Sequence, residues 1–184
     1  MRIVVGITGA SGTIYAQRLV EKLSKKVDLE IVISEIGKQV IEHENPEFLT
    51  NLGEFGKVYE INNFNVSIAS GSHLFDAMII IPCSMKTLGL IANGIANNLI
   101  IRAAEVCIKE KRKLILCPRE SPLSPIHLEN MSNLSKLGII IAPLMPSFYT
   151  KPKTIDDLIE NTINRVLDLL GLPVEDAKRW SNNF

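Results

Sequence analysis

Arg119 and Glu120 stand side by side between Pro118 and Pro122. A guanidinium and a carboxylate on so stiff a loop can grip an anion with one group and move a proton with the other. The two also suit a structural ion pair between neighbours. Ser84-Met85-Lys86-Thr87 sets two hydroxyls three residues apart. That spacing serves equally to cap a helix and to hold phosphate oxygens, because both uses draw on the same unpaired N–H groups. Gly9-Ala10-Ser11-Gly12 is neither GxGxxG nor a P-loop. Its glycines let a ligand approach the backbone, with the N–H groups of the following helix aimed at it, yet a tight turn would use glycine too.

Other candidates are weaker on pattern alone. Tyr149 lies between Pro146 and Pro152, so a stiff loop would hold it. Arg165 flanks the apolar stripe Ile155, Ile159, Ile163, Val166 and Leu170, where an exposed arginine is the ordinary reading. Lys109 opens a charge run that continues through Glu110, Lys111, Arg112 and Lys113, the usual mark of a solvated helix end. His43, His73 and His127 are scattered and fit no metal spacing. Cys83, Cys107 and Cys117 sit in apolar surroundings and read as small buried hydrophobes. Trp180 reads as a packing anchor in a short tail.

These residues need elements to carry them, and the chain alternates apolar runs with helical periods. Strands are predicted at Arg2–Thr8, Leu29–Ser34, Ala77–Ile81, Lys113–Cys117 and Gly138–Ala142. Ala16, Leu19, Val20 and Leu23 recur with helical spacing. Further helices are predicted at Gly37–Glu44, Met85–Asn93, Asn98–Lys111, Ile126–Leu137 and from the cap Thr154 to Leu170, with Gly171 and Pro173 just beyond. Near-continuous apolar strands separated by helices imply a parallel sheet covered on both faces. The expectation is a single α/β domain over 1–184: a three-layer, Rossmann- or flavodoxin-like open parallel sheet. Asn45–Val66 is the least regular stretch and reads as a surface excursion. Each predicted strand is followed by glycine, hydroxyl or charged residues, which would converge on the carboxyl rim of the sheet, where such folds bind ligands.

Composition narrows the classes. Lys plus Arg and Asp plus Glu each number 20, so net charge offers nothing to nucleic acid or an anionic membrane. The longest uncharged stretch, between Lys86 and Arg102, is broken by Gly89 and Gly94 and falls short of the roughly 20 apolar residues of a bilayer span. Reduced thiols and the absence of a leader-like N-terminus suggest a cytoplasmic protein.

From end to end the chain resembles the UbiX-type flavin prenyltransferases. The likeness is carried by GITGASGTIYAQRL, by the long stretch IASGSHLFDAMIIIPCSMKTLGLIANGIANNLIIRAAEVCIKEKRKLILCPRESPLSPIHLENM, by PSFYTKPKTIDDLIENTINRVLDLLG and by the terminal Arg179-Trp180. The resemblance implies FMN held by Gly9, Ala10, Ser11, Ser34, Ser84, Met85, Lys86, Thr87 and Arg119. It implies dimethylallyl phosphate surrounded by Lys109, Arg119, Tyr149 and Arg165, with Arg102 also in the site. Glu120, and Glu44 paired with Ser11, take the family's acidic and proton-handling positions. Also implied are a homo-oligomer, usually of twelve subunits, with sites at subunit contacts, and a decarboxylase that receives the prenylated FMN. On that view the tail, about 172–184, docks on another subunit. Ser121, Lys151, His73 and Glu35 depart from the family's usual residues. Two rivals share the fold: a flavin-dependent cysteine decarboxylase, which carries a PANANT-like stretch in place of PCSMKT, and a non-catalytic FMN-binding subunit.

Overall fold

The computed structural model describes residues 1–175 and 177–180. Strands β1 (Arg2–Ile7), β2 (Asp28–Ile33), β3 (Lys57–Tyr59), β4 (Ala77–Cys83), β5 (Lys113–Pro118) and β6 (Ile140–Ile141) form one sheet. Its order is β3-β2-β1-β4-β5-β6 and every pairing is parallel. Successive side chains of a strand point to opposite faces. Ile3, Val5 and Ile7 accordingly join one core with Ile31, Ile33, Ile79 and Ile81, while Val4, Val32, Met78 and Ile80 join the other.

Helices close both cores. On the first face lie α1 (Thr13–Leu23), α3 (Pro46–Phe55) and α7 (Ile155–Leu170); on the second lie α4 (Met85–Ala92), α5 (Leu99–Lys109) and α6 (Pro125–Lys136). α2 (Glu35–Glu44) buries Gly37 and Ile41 beside α1 and α3. The three-layer parallel architecture is the one expected from the sequence. The cap at Thr154 is present, its hydroxyl accepting from Asp157 N, and α7 stops at Gly171 in the left-handed conformation, φ 84°.

The stretch expected to be an irregular excursion is irregular only over 60–66. It holds α3, which buries Phe48 and Leu52, and the edge strand β3. The strand predicted at Gly138–Ala142 shortens to Ile140–Ile141 at the opposite edge. Strand order reverses on either side of β1, so the loops after β1 and β4 diverge and leave a crevice at the carboxyl edge.

Candidate active site

At that crevice lies a cavity of about 350 Å³ lined by Gly9, Ser34, Ser84, Lys86 and Thr87 together with Glu35, Ile36, Ile61, Asn62, Leu90, Asn97 and Asn98. Gly9 leaves room for α2 to pass: a Cβ there would stand 2.3 Å from Ile36 Cγ2. Ser34 caps α2 by accepting from Gly37 N at 3.0 Å, and its own N–H donates to Ile7 O at 2.9 Å, so the α2 loop is tied to the end of β1. Ser84 caps α4, accepting from Thr87 N at 3.3 Å and donating to Thr87 Oγ1 at 3.1 Å. The spacing of the two hydroxyls is thus used as a cap, and both residues still face the cavity. Met85 is buried at the start of the same helix.

Sequence reasoning missed the outer wall. Ile61 and Asn62 come from the stretch taken for an excursion, and Ile61 O accepts from Leu99 N at 2.9 Å, which binds that stretch to the start of α5. Asn97 and Asn98 belong to the break between α4 and α5. Asn98 caps α5 by accepting from Ile101 N at 3.1 Å, a function its position in the sequence could have suggested.

A second cavity, of about 330 Å³, lies over β5 and β6 and is lined by Pro118, Arg119, Glu120, Ser121, Leu123, Met131 and Pro143 to Met145. Arg119 and Glu120 do not pair. Arg119 Nε donates to Ser11 O at 3.2 Å, and Glu120 Oε1 accepts from Ser121 N at 3.0 Å. Backbone acceptors within reach make the guanidinium a bridge to the first loop and leave the Glu120 carboxylate exposed at the cavity mouth.

The first loop holds a further departure. The N–H groups that open α1 do not point at an empty crevice: Glu44 takes them. Its carboxylate accepts from Gly12 N at 3.0 Å, and from Thr13 N and Thr13 Oγ1 at 2.8 Å each. Burial pushes the Glu44 carboxyl upward, but the hydrogen bonds from Ser11, Thr13 and Gly12 outweigh it and hold the group below its ordinary value. A carboxylate at a helix N-terminus is also favoured by the helix dipole. Ser11 adds to that lowering, while the direct hydrogen bonds to Glu44 come from Gly12 and Thr13. Ala10, next in the loop, is buried.

Four expected residues lie apart from these cavities. α5 starts beside the crevice and runs 11 residues, about 16 Å, and a short turn of residues 110–112 then leads into β5 at Lys113. Lys109 therefore lies at the opposite edge of the sheet, paired with Glu110 at 2.6 Å. Arg102, on the same helix, donates from Nε to Ala69 O at 3.0 Å. Tyr149 stacks edge-on against Trp180, ring centres 5.5 Å apart. Arg165 is exposed on α7, between Asn161, which bonds Thr150 at 2.6 Å, and Asp168, which pairs with Arg179 at 2.8 Å. The described part of the tail thus lies along α7 of its own chain, and Trp180 remains 69% exposed. Residues 176 and 181–184 of the tail predicted to dock on another subunit lie outside the described residues.

Among the described residues no group of three or more His, Cys, Asp or Glu could hold a metal. His127 serves the cap of α6, its Nδ1 accepting from Ser124 N at 3.2 Å. No helix among the described residues is long and apolar enough to cross a membrane.

Comparison with known proteins decides the family. Residues 1–167 match the Flavoprotein family. The chain is 50% identical to flavin prenyltransferase UbiX of Thermoplasma acidophilum, over 98% of this chain and 100% of that protein. It is 47% identical to flavin prenyltransferase UbiX of Methanocaldococcus jannaschii, over 98% of each. The chain belongs to the UbiX-type flavin prenyltransferase family. A UbiX structure solved with FMN and dimethylallyl pyrophosphate superposes on this family member with a TM-score of 0.95 at 39% identity, covering 98% of this chain and 97% of that one. A dodecameric FMN-dependent UbiX-like decarboxylase from Escherichia coli O157:H7 superposes at 0.96 with 43% identity, covering 99% and 100%. Cysteine decarboxylases such as the peptidyl-cysteine enzyme EpiD match at 0.65 and 20% identity, a likeness of fold alone, so the decarboxylase rival gains no support.

Proposed function

We propose that this chain transfers a dimethylallyl group from dimethylallyl phosphate to N5 and C6 of reduced FMN, giving prenylated FMN for a partner decarboxylase. The observation that carries this reading is the end-to-end identity with proteins named flavin prenyltransferases. Reduced FMN, when bound, supplies the nucleophilic N5 and C6 that accept the five-carbon unit. The residues present fit it. Gly9 lets Ile36 of α2 pack closely on the first loop at the cavity wall, and Gly9, Ser34, Ser84, Lys86 and Thr87 line the cavity.

Electrostatics choose the end that takes the flavin phosphate. The start of α1 is covered by Glu44, and the first turn of α2 carries Glu35. The first turn of α4 holds no acid and offers Ser84, Lys86 and Thr87. An anion is favoured at α4 on both the dipole and the side-chain charge. Gly9, Ala10, Ser11 and Met85 would then flank the ring system, with Arg119 bridging from the neighbouring cavity. Glu35 suits this arrangement only while it points outward, and its ion pair with Lys38 at 3.7 Å holds it near that cation.

An allylic phosphate ionises when its departing group is stabilised, and the proposed donor site supplies Arg119, Tyr149, Arg165, Lys109 and Arg102 for that purpose. Ring closure would need one proton delivered to the prenyl double bond and would release one from C6, and Glu120, with the departed phosphate, is placed to carry that exchange. The Ser11–Glu44 pair holds a further proton path at the first loop. Met85 and Leu88, buried in the core behind the start of α4, back an apolar wall proposed to keep water from the allyl cation. Lys109 and Arg102 reach such a site in a homo-oligomer, for which a homododecamer is the proposed form, supported by the dodecameric neighbour. Three buried, unpaired cysteines agree with work in the cytoplasm.

Anaerobic incubation with reduced FMN and dimethylallyl phosphate, followed by mass spectrometry of the flavin, tests the reaction. A five-carbon adduct is expected. Unmodified flavin, with the diphosphate tried as well, would overturn the activity.

A further inference from the structure

Thr8 is the first residue beyond β1, at the point where strand order reverses. It is buried, 1% exposed. The β1–β4 ladder ends at Gly6↔Ile80, and Pro82 beyond it has no N–H to extend the pairing. Thr8 takes over there. Its N–H donates to Pro82 O at 3.2 Å, its hydroxyl donates to the same oxygen at 2.8 Å, and that hydroxyl accepts from Ser84 N at 2.7 Å.

A buried hydroxyl is costly unless bonded, and packing alone would be met as well by valine. Both partners of this hydroxyl are backbone atoms of the loop that carries Ser84, while the residue after Thr8 is Gly9. We propose that Thr8 is a positioning residue for the flavin: its side chain sets the separation of the Gly9–Ser11 and Ser84–Thr87 loops, and with it the affinity for FMN. The inference rests on the FMN reading above. The same tie fixes the backbone from which Ser84 caps α4, so a fault at Thr8 passes directly to the helix start proposed to hold the phosphate.

The test is a fluorescence titration of FMN into wild type, Thr8→Val and Thr8→Ser. Valine keeps the shape but leaves Ser84 N–H unpartnered, and its Kd should rise about 10- to 100-fold. Serine keeps the hydroxyl and should bind within about threefold of wild type. At saturating FMN the KM for dimethylallyl phosphate should be the same in all three, which separates loop spacing from general damage. A wild-type Kd in Thr8→Val, or a serine variant as weak as the valine one, overturns the proposal while leaving the FMN reading intact. Failure of the wild type to bind FMN overturns both. Should Thr8→Val not fold, Thr8→Ala carries the same comparison.

Discussion

Glu44 ends α2 and yet serves α1, and this double position explains its charge. Hydrogen bonds from Ser11, Thr13 and Gly12 prevail over the burial that opposes ionisation and hold its carboxyl below the ordinary carboxylate range. A carboxyl depressed in the fold stabilises the protein above its unfolded pKa, and that stability is lost as pH falls through the lower folded value. Glu44→Gln keeps acceptors for the α1 N–H groups but removes the charge. We expect it to lower stability by about 1 kcal/mol near pH 7, a fall of ~2–4 °C in Tm. Melting curves should show the gap between variant and wild type closing as pH falls through and below the ordinary carboxylate range. A gap that persists unchanged in acid would show that charge is not what Glu44 contributes. Periodicity could not reveal the tie between Glu44 and the first loop, since Thr13 and Glu44 lie 31 positions apart; only the likeness to a family brought Glu44 and Ser11 together. Neighbours in sequence misled in the opposite direction, because Arg119 and Glu120 each find a backbone partner instead of one another.

At the scale of elements, the parts legible in the sequence were those whose burial is complete. β4 is buried at every position and α7 carries a full apolar stripe, so pattern and structure agree. α3 buries only Phe48 and Leu52, and β3 is three residues long at the sheet edge. Such short, half-exposed pieces owe their form to packing on neighbours and leave little periodic signal. The wall that Ile61 and Asn62 add to the cavity was hidden for the same reason. α2 shows how tightly an element can be held where the pattern is weak. A Cβ on Gly37 would stand 2.9 Å from Ile7 O and 3.1 Å from Ser34 Oγ. Backbone cannot yield as a side chain can, so Gly37→Ala should push α2 off the end of β1 and cost about 1–3 kcal/mol. Thermal denaturation checks the loss, and a parallel FMN titration should weaken, because Ser34 caps the same turn. An alanine variant of wild-type Tm would mean that α2 is free to shift.

Across the whole molecule, the charged groups proposed for the donor are divided between opposite edges of one sheet. Arg119 and Glu120 stand at the carboxyl edge, and Lys109 stands where β5 begins. The length of α5 separates them, so one subunit cannot complete the site unless α5 moves, and its buried face of Leu99, Ile100, Ala103, Ala104 and Cys107 holds it in place. A symmetric assembly solves the problem by setting the far edge of one copy against the rim of another. Lys109→Ala and Glu120→Gln should each abolish adduct formation when present in every subunit. Co-expressed with different tags and purified as mixed assemblies, they should regain roughly a quarter of wild-type activity, because random mixing pairs an intact Lys109 with an intact Glu120 in that share of sites. Mixed assemblies as inactive as their parents would mean that both residues act from one subunit, and an active Lys109→Ala parent would mean that Lys109 has no part in the reaction. Activity in proportion to a single variant's own residue would locate the fault in folding, and the two cases separate by the FMN content of the purified assemblies.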